Sequence, residues 1–134
     1  MDKALSYMAL ARKAGRIELG EEPVGAAAQA GKASLILVAG DASEHTWRRA
    51  QSFATGSNQQ CVRVDFTKDQ LGQAIGRTSL ALAAFTDPAL ALAFVKALAQ
   101  DHADVEAALE SAVEQARPAK TRSKRKGRSR PAKK

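Results

Sequence analysis

The chain has 134 residues, 45% of them apolar, and a formal net charge of +7, which suits one domain with a core built mainly from Ala, Leu, Val and Ile. A single cysteine, Cys61, excludes an internal disulfide and a cysteine-based metal cage, and His45 and His102 have no second ligand at metal-binding spacing. The start lacks a basic stretch followed by an apolar one, and no apolar run approaches membrane-spanning length, so a cytoplasmic protein with no membrane contact is expected.

From about Asp2 to Ala14 apolar side chains recur at helical spacing (Leu5, Met8, Ala9). Gly15, with Arg12, Lys13 and Arg16 around it, marks the C-terminal end, where cations favour the helix dipole. Ile17-Glu18-Leu19 reads as a short extended piece. Gly20 precedes a second helix, whose first turn holds Glu21, Glu22 and Pro23 and which runs through an alanine-rich segment to Gly31. Leu35 to Ala39 is a continuous apolar run, the pattern of a strand buried on both faces. Asp41 stands at capping-box spacing from Glu44, and Ser43 is a second possible cap for a third helix from about Ser43 to Ala54, stopping near Gly56.

Cys61 to Phe66 alternates and reads as a strand. Thr67 and Gln70 again have capping-box spacing, opening a helix that ends at Gly76. Leu80 to Phe85 is a second wholly apolar strand. Asp87-Pro88 offers an N-cap with proline at the first helical position, leading a helix to about Gln100. A further helix from Asp104 to Gln115 would put Val105, Ala108, Leu109 and Ala112 on one face. Helices and strands thus alternate, which predicts a three-layer α/β/α sandwich.

Charge is distributed unevenly. Residues 1–100 carry a balance of +2, residues 101–116 hold five acids and no base, and residues 117–134 hold ten bases and no acid. The chain therefore divides into a nearly neutral domain (1–100), an acidic C-terminal helix (101–116) and a basic tail (117–134), too poor in apolar side chains to offset its chain entropy and so expected to be disordered. Its cations, Arg117, Lys120, Arg122, Lys124, Arg125, Lys126, Arg128, Arg130, Lys133 and Lys134, suit phosphate contact with a nucleic acid. A solubility tail, or one folded back on the acidic helix, is the plainer alternative.

Gly20 admits two readings: a helix N-terminus offering backbone N–H groups to a phosphate, or an ordinary strand-to-helix turn. No G-x-G-x-x-G or Walker pattern follows, so no nucleotide cofactor is expected. Asp41, Glu44 and His45 lie at the C-terminal end of a strand, where α/β proteins often place active groups, but capping accounts for the two acids. The dipole accounts for Glu21 and Glu22, Trp47 is read as a packing residue, and Cys61 as a small strand residue. No nucleophile, base and orienting group come together, so catalysis, metals and cofactors are not expected.

Three segments, ARKAGRIELGEE, AGKASLILVAGDAS and LGQAIGR with the apolar strand after it, resemble the kink-turn-binding ribosomal-protein superfamily (L-seven-Ae / L-thirty-e type), and within it the small bacterial YlxQ-type branch. The resemblance spans about Ala4 to Phe94. It implies an α/β/α sandwich around a four-stranded mixed sheet, and binding of structured RNA, kink-turn-like or ribosomal, without catalysis. It further implies association with ribosomal RNA, the ribosome or its assembly factors. The family's RNA site falls here on Gly20, Glu21, Glu22 and Pro23 at the start of the second helix, and on Ile75, Gly76, Arg77, Thr78, Ser79 and Leu80 before the last strand. Lys32 and Arg16 are cations near the first of these. Strong kink-turn binders carry Asn then Glu where this chain has Glu22 and Pro23, and Lys where it has Ala26, with often a base at Ala30. A weaker or different RNA specificity is therefore expected, with the tail supplying much of the affinity. The rival functions are a protein-interaction adaptor docking through the acidic helix, a nucleoid-type DNA binder working through its tail, and an enzyme with a pocket holding His45 and Asp41.

Overall fold

The structure, a computed structural model, describes residues 2–57 and 59–125. Ten elements follow in order: α1 (Lys3–Ala14), β1 (Ile17–Leu19), α2 (Glu21–Gln29), β2 (Leu35–Val38), α3 (Glu44–Ser57), β3 (Gln60–Arg63), α4 (Lys68–Ala74), β4 (Leu82–Phe85), α5 (Pro88–Ala97) and α6 (Ala103–Arg125). The alternation expected from the sequence is present throughout.

The four strands form one mixed sheet in the order β1-β4-β2-β3. Strand β4 runs antiparallel to both neighbours, pairing Leu19 with Ala83 on one side and Val38 with Leu82 on the other, while β2 and β3 are parallel. This order explains the two kinds of strand pattern. Central β2 and β4 are buried at every position, so their sequences are unbroken apolar runs. The edge strands β1 and β3 keep partly exposed positions and so retain polar side chains.

Helices α2 and α3 pack together on the sheet, α2 against β1 and β4 and α3 against β2 and β3. The remaining helices pack among themselves, with α5 between α1 and α6 and α4 against α1. Phe85 of β4 and Phe94 of α5 anchor that side, their ring centroids 5.1 Å apart. Leu109 of α6 is buried almost fully, and Lys96 of α5 meets Glu110 of α6 at 3.3 Å.

Helices α1, α2 and α4 all end in a left-handed glycine, Gly15, Gly31 or Gly76, as their sequences indicated. The residue after each, Arg16, Lys32 or Arg77, donates its N–H back to a carbonyl in the last turn, the paired-bond ending that satisfies orphan carbonyls. The Thr67–Gln70 capping box and the Asp87 N-cap form as read from sequence.

Three expectations need correction. Asp41 and Glu44 do not form a capping box. Ser43 Oγ accepts the Thr46 N–H instead, Asp41 Oδ1 accepts the N–H of Lys68 at the start of α4, and Glu44 faces Arg63 at 3.5 Å. Arg63 also donates to the Ala42 carbonyl and lies over the Trp47 ring, so one cation ties the end of β3 to the start of α3. Strand β3 ends at Arg63 rather than Phe66, although the Val64 N–H still reaches Val38 and Phe66 accepts from Gly40. Finally, the helix expected to stop at Gln115 continues to Arg125. Residues 126–134 lie outside the described residues. Among the described residues, no helix is long and apolar enough to cross a membrane.

Candidate nucleic-acid interface

Strands β1, β2 and β3 all point the same way, so α2, α3 and α4 begin at one end of the sheet. The N-termini of α3 and α4 are occupied: Ser43 caps the first, and Thr67 with Asp41 caps the second. Helix α2 differs. Its N-cap is Gly20 at φ 97°, a backbone conformation that an L side chain resists, and no side chain caps its first turn. Pro23 contributes no N–H, which leaves those of Glu21 and Glu22 facing out of the helix end. That end carries the positive pole of the helix dipole.

The Gly20 N–H donates to the carbonyl of Leu82 at 2.9 Å. Leu82 opens β4 and comes two residues after Leu80, so the loop from Ile75 to Leu80 rises beside the α2 N-terminus. The loop is held at several points. Ile75 and Leu80 are buried at 5% and 3% exposure, leaving Gly76, Arg77, Thr78 and Ser79 on the surface. Arg77 N–H donates to the Gly72 carbonyl, Leu80 N–H to that of Lys68, and the Arg12 guanidinium to that of Ile75. Gly72 lies under Ser79 so closely that a Cβ there would stand 2.6 Å from the Ser79 nitrogen. The loop is therefore a fixed projection, and no side-chain partner holds the exposed Arg77 guanidinium among the described residues.

The Gly20–Leu82 hydrogen bond thus ties the start of α2, with Glu21 and Glu22, to the strand that follows the exposed turn 76–79. Ile75 and Leu80, named with them from sequence, lie beneath the surface and support the turn. Lys32 is not beside Gly20. It precedes β2, whose first residue Leu35 pairs with Phe85 at the far end of β4. The length of β4, roughly 10 Å at about 3.3 Å per residue, separates it from Gly20. Lys32 instead shares a shallow groove of about 260 Å³ along the flank of α2 with Pro23, Ala26, Ala30 and Glu18. Arg16 is likewise at that far end, its carbonyl accepting from Thr86 just after β4. Of the tail cations, Arg117, Lys120, Arg122, Lys124 and Arg125 fall on the helical backbone of α6, and Lys126, Arg128, Arg130, Lys133 and Lys134 lie outside the described residues.

One site feature had no signal in the sequence. Arg49 of α3 donates to the Glu21 carboxylate at 2.8 Å and lies over the Phe53 ring at 5.2 Å. Glu21 is thereby paired at the very helix end where an unpaired acid would repel phosphate. His45 is exposed and the Asp41 carboxylate is committed to Lys68, so they form no acid–base pair. Cys61 is half-buried, and burial pushes its thiol pKa up to about 12, away from nucleophilic use.

No curated protein sequence matches the chain. Among solved structures, it is similar to a protein with unknown function from Bacillus halodurans, at 25% identity and a TM-score of 0.68, over 75% of this chain and 100% of that one. It shares its fold with a 15.5kD RNA binding protein from Giardia lamblia, at 19% identity and a TM-score of 0.59, over 79% of this chain and 87% of that one. Residues 2–92 match the Ribosomal protein L7Ae/L30e/S12e/Gadd45 family, and the chain belongs to that family.

Proposed function

We propose that this protein binds structured RNA without catalysing a reaction, and that it does so at the sheet end where α2 begins. The observation that supports this reading is the Gly20–Leu82 hydrogen bond, which joins an uncapped helix N-terminus to the strand that the pinned turn bearing Arg77 leads into. The α2 end offers two backbone N–H groups and a positive dipole to a phosphate or to base acceptors. The turn offers Arg77, Thr78 and Ser79 to the backbone and to unstacked bases. Such a composite, rigid surface reads shape and splayed nucleotides, which is how RNA is usually discriminated. Family membership and the shared fold with the Giardia RNA binding protein support the same reading.

The basic segment from Arg117 adds sequence-independent attraction, and the nearly neutral domain leaves most of the charge to it. With Pro23, Ala26 and Ala30 on the flank of α2, shape recognition carries less cationic help than in the strong kink-turn binders. Ribosomal RNA, or a helix interrupted by a sharp bend, is the substrate class this surface suits.

Fluorescence anisotropy tests the proposal with a hairpin RNA carrying a kink-turn-type bulge, a perfect RNA duplex and a DNA duplex of equal length. Tighter binding of the bulged hairpin is expected. Equal binding of all three would reduce the protein to a general polyanion binder acting through its basic segment.

A further inference from the structure

We infer a second nucleotide subsite in the groove between α2 and α3, where an unpaired base of the bound RNA stacks on the Arg49 guanidinium. The groove has a volume of about 610 Å³. That volume falls within the range of about 300–1,000 Å³ typical of small-ligand sites, wide enough for a planar heterocycle.

Its floor is built in layers. Gly25 lets the Phe53 ring lie directly on the α2 backbone, since a Cβ at that position would stand only 3.0 Å from the ring. Arg49 covers the ring at 5.2 Å from its centroid. The Glu21 carboxylate holds the guanidinium from its edge through Nε, at 2.8 Å. A guanidinium held by a ring below and a carboxylate at its edge is a prepared stacking surface, and its side chain remains about half exposed. Bases stack on arginine planes in single-stranded RNA recognition. Glu22, Gln29 and Ser52 also line the groove and offer polar groups to the edge of a stacked base.

The groove starts at Glu21 and Glu22, the residues that open α2, so it continues the surface described above. A nucleotide next to one bound at the α2 N-terminus reaches it without crossing the domain. The subsite rests on the RNA-binding reading and extends it to α3. It also gives the Arg49–Glu21 pair a role beyond its small worth as an exposed ion pair.

The test uses full-length protein and the bulged hairpin RNA with 5-iodouridine at each bulge position in turn. Photo-crosslinking followed by peptide mass spectrometry should join one bulge position to the peptide containing Arg49 and Phe53. Arg49→Ala and Arg49→Lys should both bind this RNA about tenfold more weakly, because lysine keeps the charge but not the plane. Their urea midpoints should match that of the wild type. Wild-type affinity in Arg49→Lys would overturn stacking in favour of a simple charge contact. Wild-type affinity in both variants, with crosslinks confined to 76–79 and the α2 N-terminus, would remove the subsite while leaving the main interface standing. A wild-type protein that does not distinguish the bulged hairpin from duplex would instead defeat the RNA-binding reading itself.

Discussion

The carboxylate of Asp41 accepts the backbone N–H of Lys68 at 2.8 Å, so the residue that leaves β2 caps the helix that follows β3. Two parallel neighbouring strands are thereby tied at their ends, beside the turn that leads into β4. Asp41→Ala should cost about 1 kcal/mol of stability, the usual worth of a lost helix cap. Asp41→Asn keeps an acceptor oxygen and should cost less. Urea unfolding followed by circular dichroism distinguishes the two. Equal midpoints for wild type and Asp41→Ala would show the bond to be worth nothing.

That contact also marks where sequence reading stopped. The buried strands β2 and β4 were legible because strands covered on both faces leave no polar positions. The ends of α1, α2 and α4 were legible because Gly15, Gly31 and Gly76 sit where a left-handed residue is needed. Capping at Thr67 and Asp87 was legible because each cap and its partner lie within three residues. Asp41 met the same local spacing with Glu44, but its partner is 27 positions away, and proximity across the sheet decides between them. The Arg49–Glu21 pair joins residues 28 apart, beyond any local pattern. Lys32 looked close to Gly20 in sequence, yet a helix and a strand's length lie between them.

The turn at 76–79 is set by its support. Gly72→Ala would place a Cβ 2.6 Å from the Ser79 nitrogen, so the turn must lift or α4 must shift. Overpacking of this kind costs about 1–3 kcal/mol. The variant should lose both stability and preference for bulged RNA, since the turn no longer sits at its height beside Gly20. Retention of full preference would separate RNA recognition from the position of this turn.

Arg77 should behave in the opposite way. It is exposed, and its guanidinium has no partner among the described residues, so Arg77→Ala should leave the urea midpoint within about 0.5 kcal/mol of wild type. Binding of bulged hairpin RNA should nevertheless weaken several-fold. An unchanged dissociation constant would take the turn out of the interface.

Cys61 supplies a pH-dependent check on the fold alone. Burial raises its thiol pKa from 9.0 to about 12, because the half-buried edge-strand position disfavours the thiolate. The folded state therefore holds the proton more tightly than the unfolded chain. Its contribution is fully present below pH 9 and is lost as pH rises from 9 towards 12. At pH 8, iodoacetamide should alkylate native Cys61 more slowly than the urea-unfolded chain, by on the order of 100-fold. Equal rates would show that the thiol is open to solvent and that β3 does not sit against α3 as described.

The basic segment can be separated from the domain by its salt dependence. Residues 117–134 hold ten of the chain's 21 Lys and Arg and none of its acids, so truncation after Ala116 turns the net charge from +7 to −3. Each phosphate neutralised adds about 0.7–0.9 to the slope of log affinity against log salt. The truncated protein should bind all RNAs more weakly at low salt, with a shallower slope, while its preference for bulged hairpin over duplex persists. That persistence matters because, in the proposed interface, phosphate contacts made by the segment would be the same on either RNA, whereas those of the α2 N-terminus and turn 76–79 would not. If truncation abolished the preference instead, the discriminating surface would lie in α6 and its extension, not at the end of the sheet.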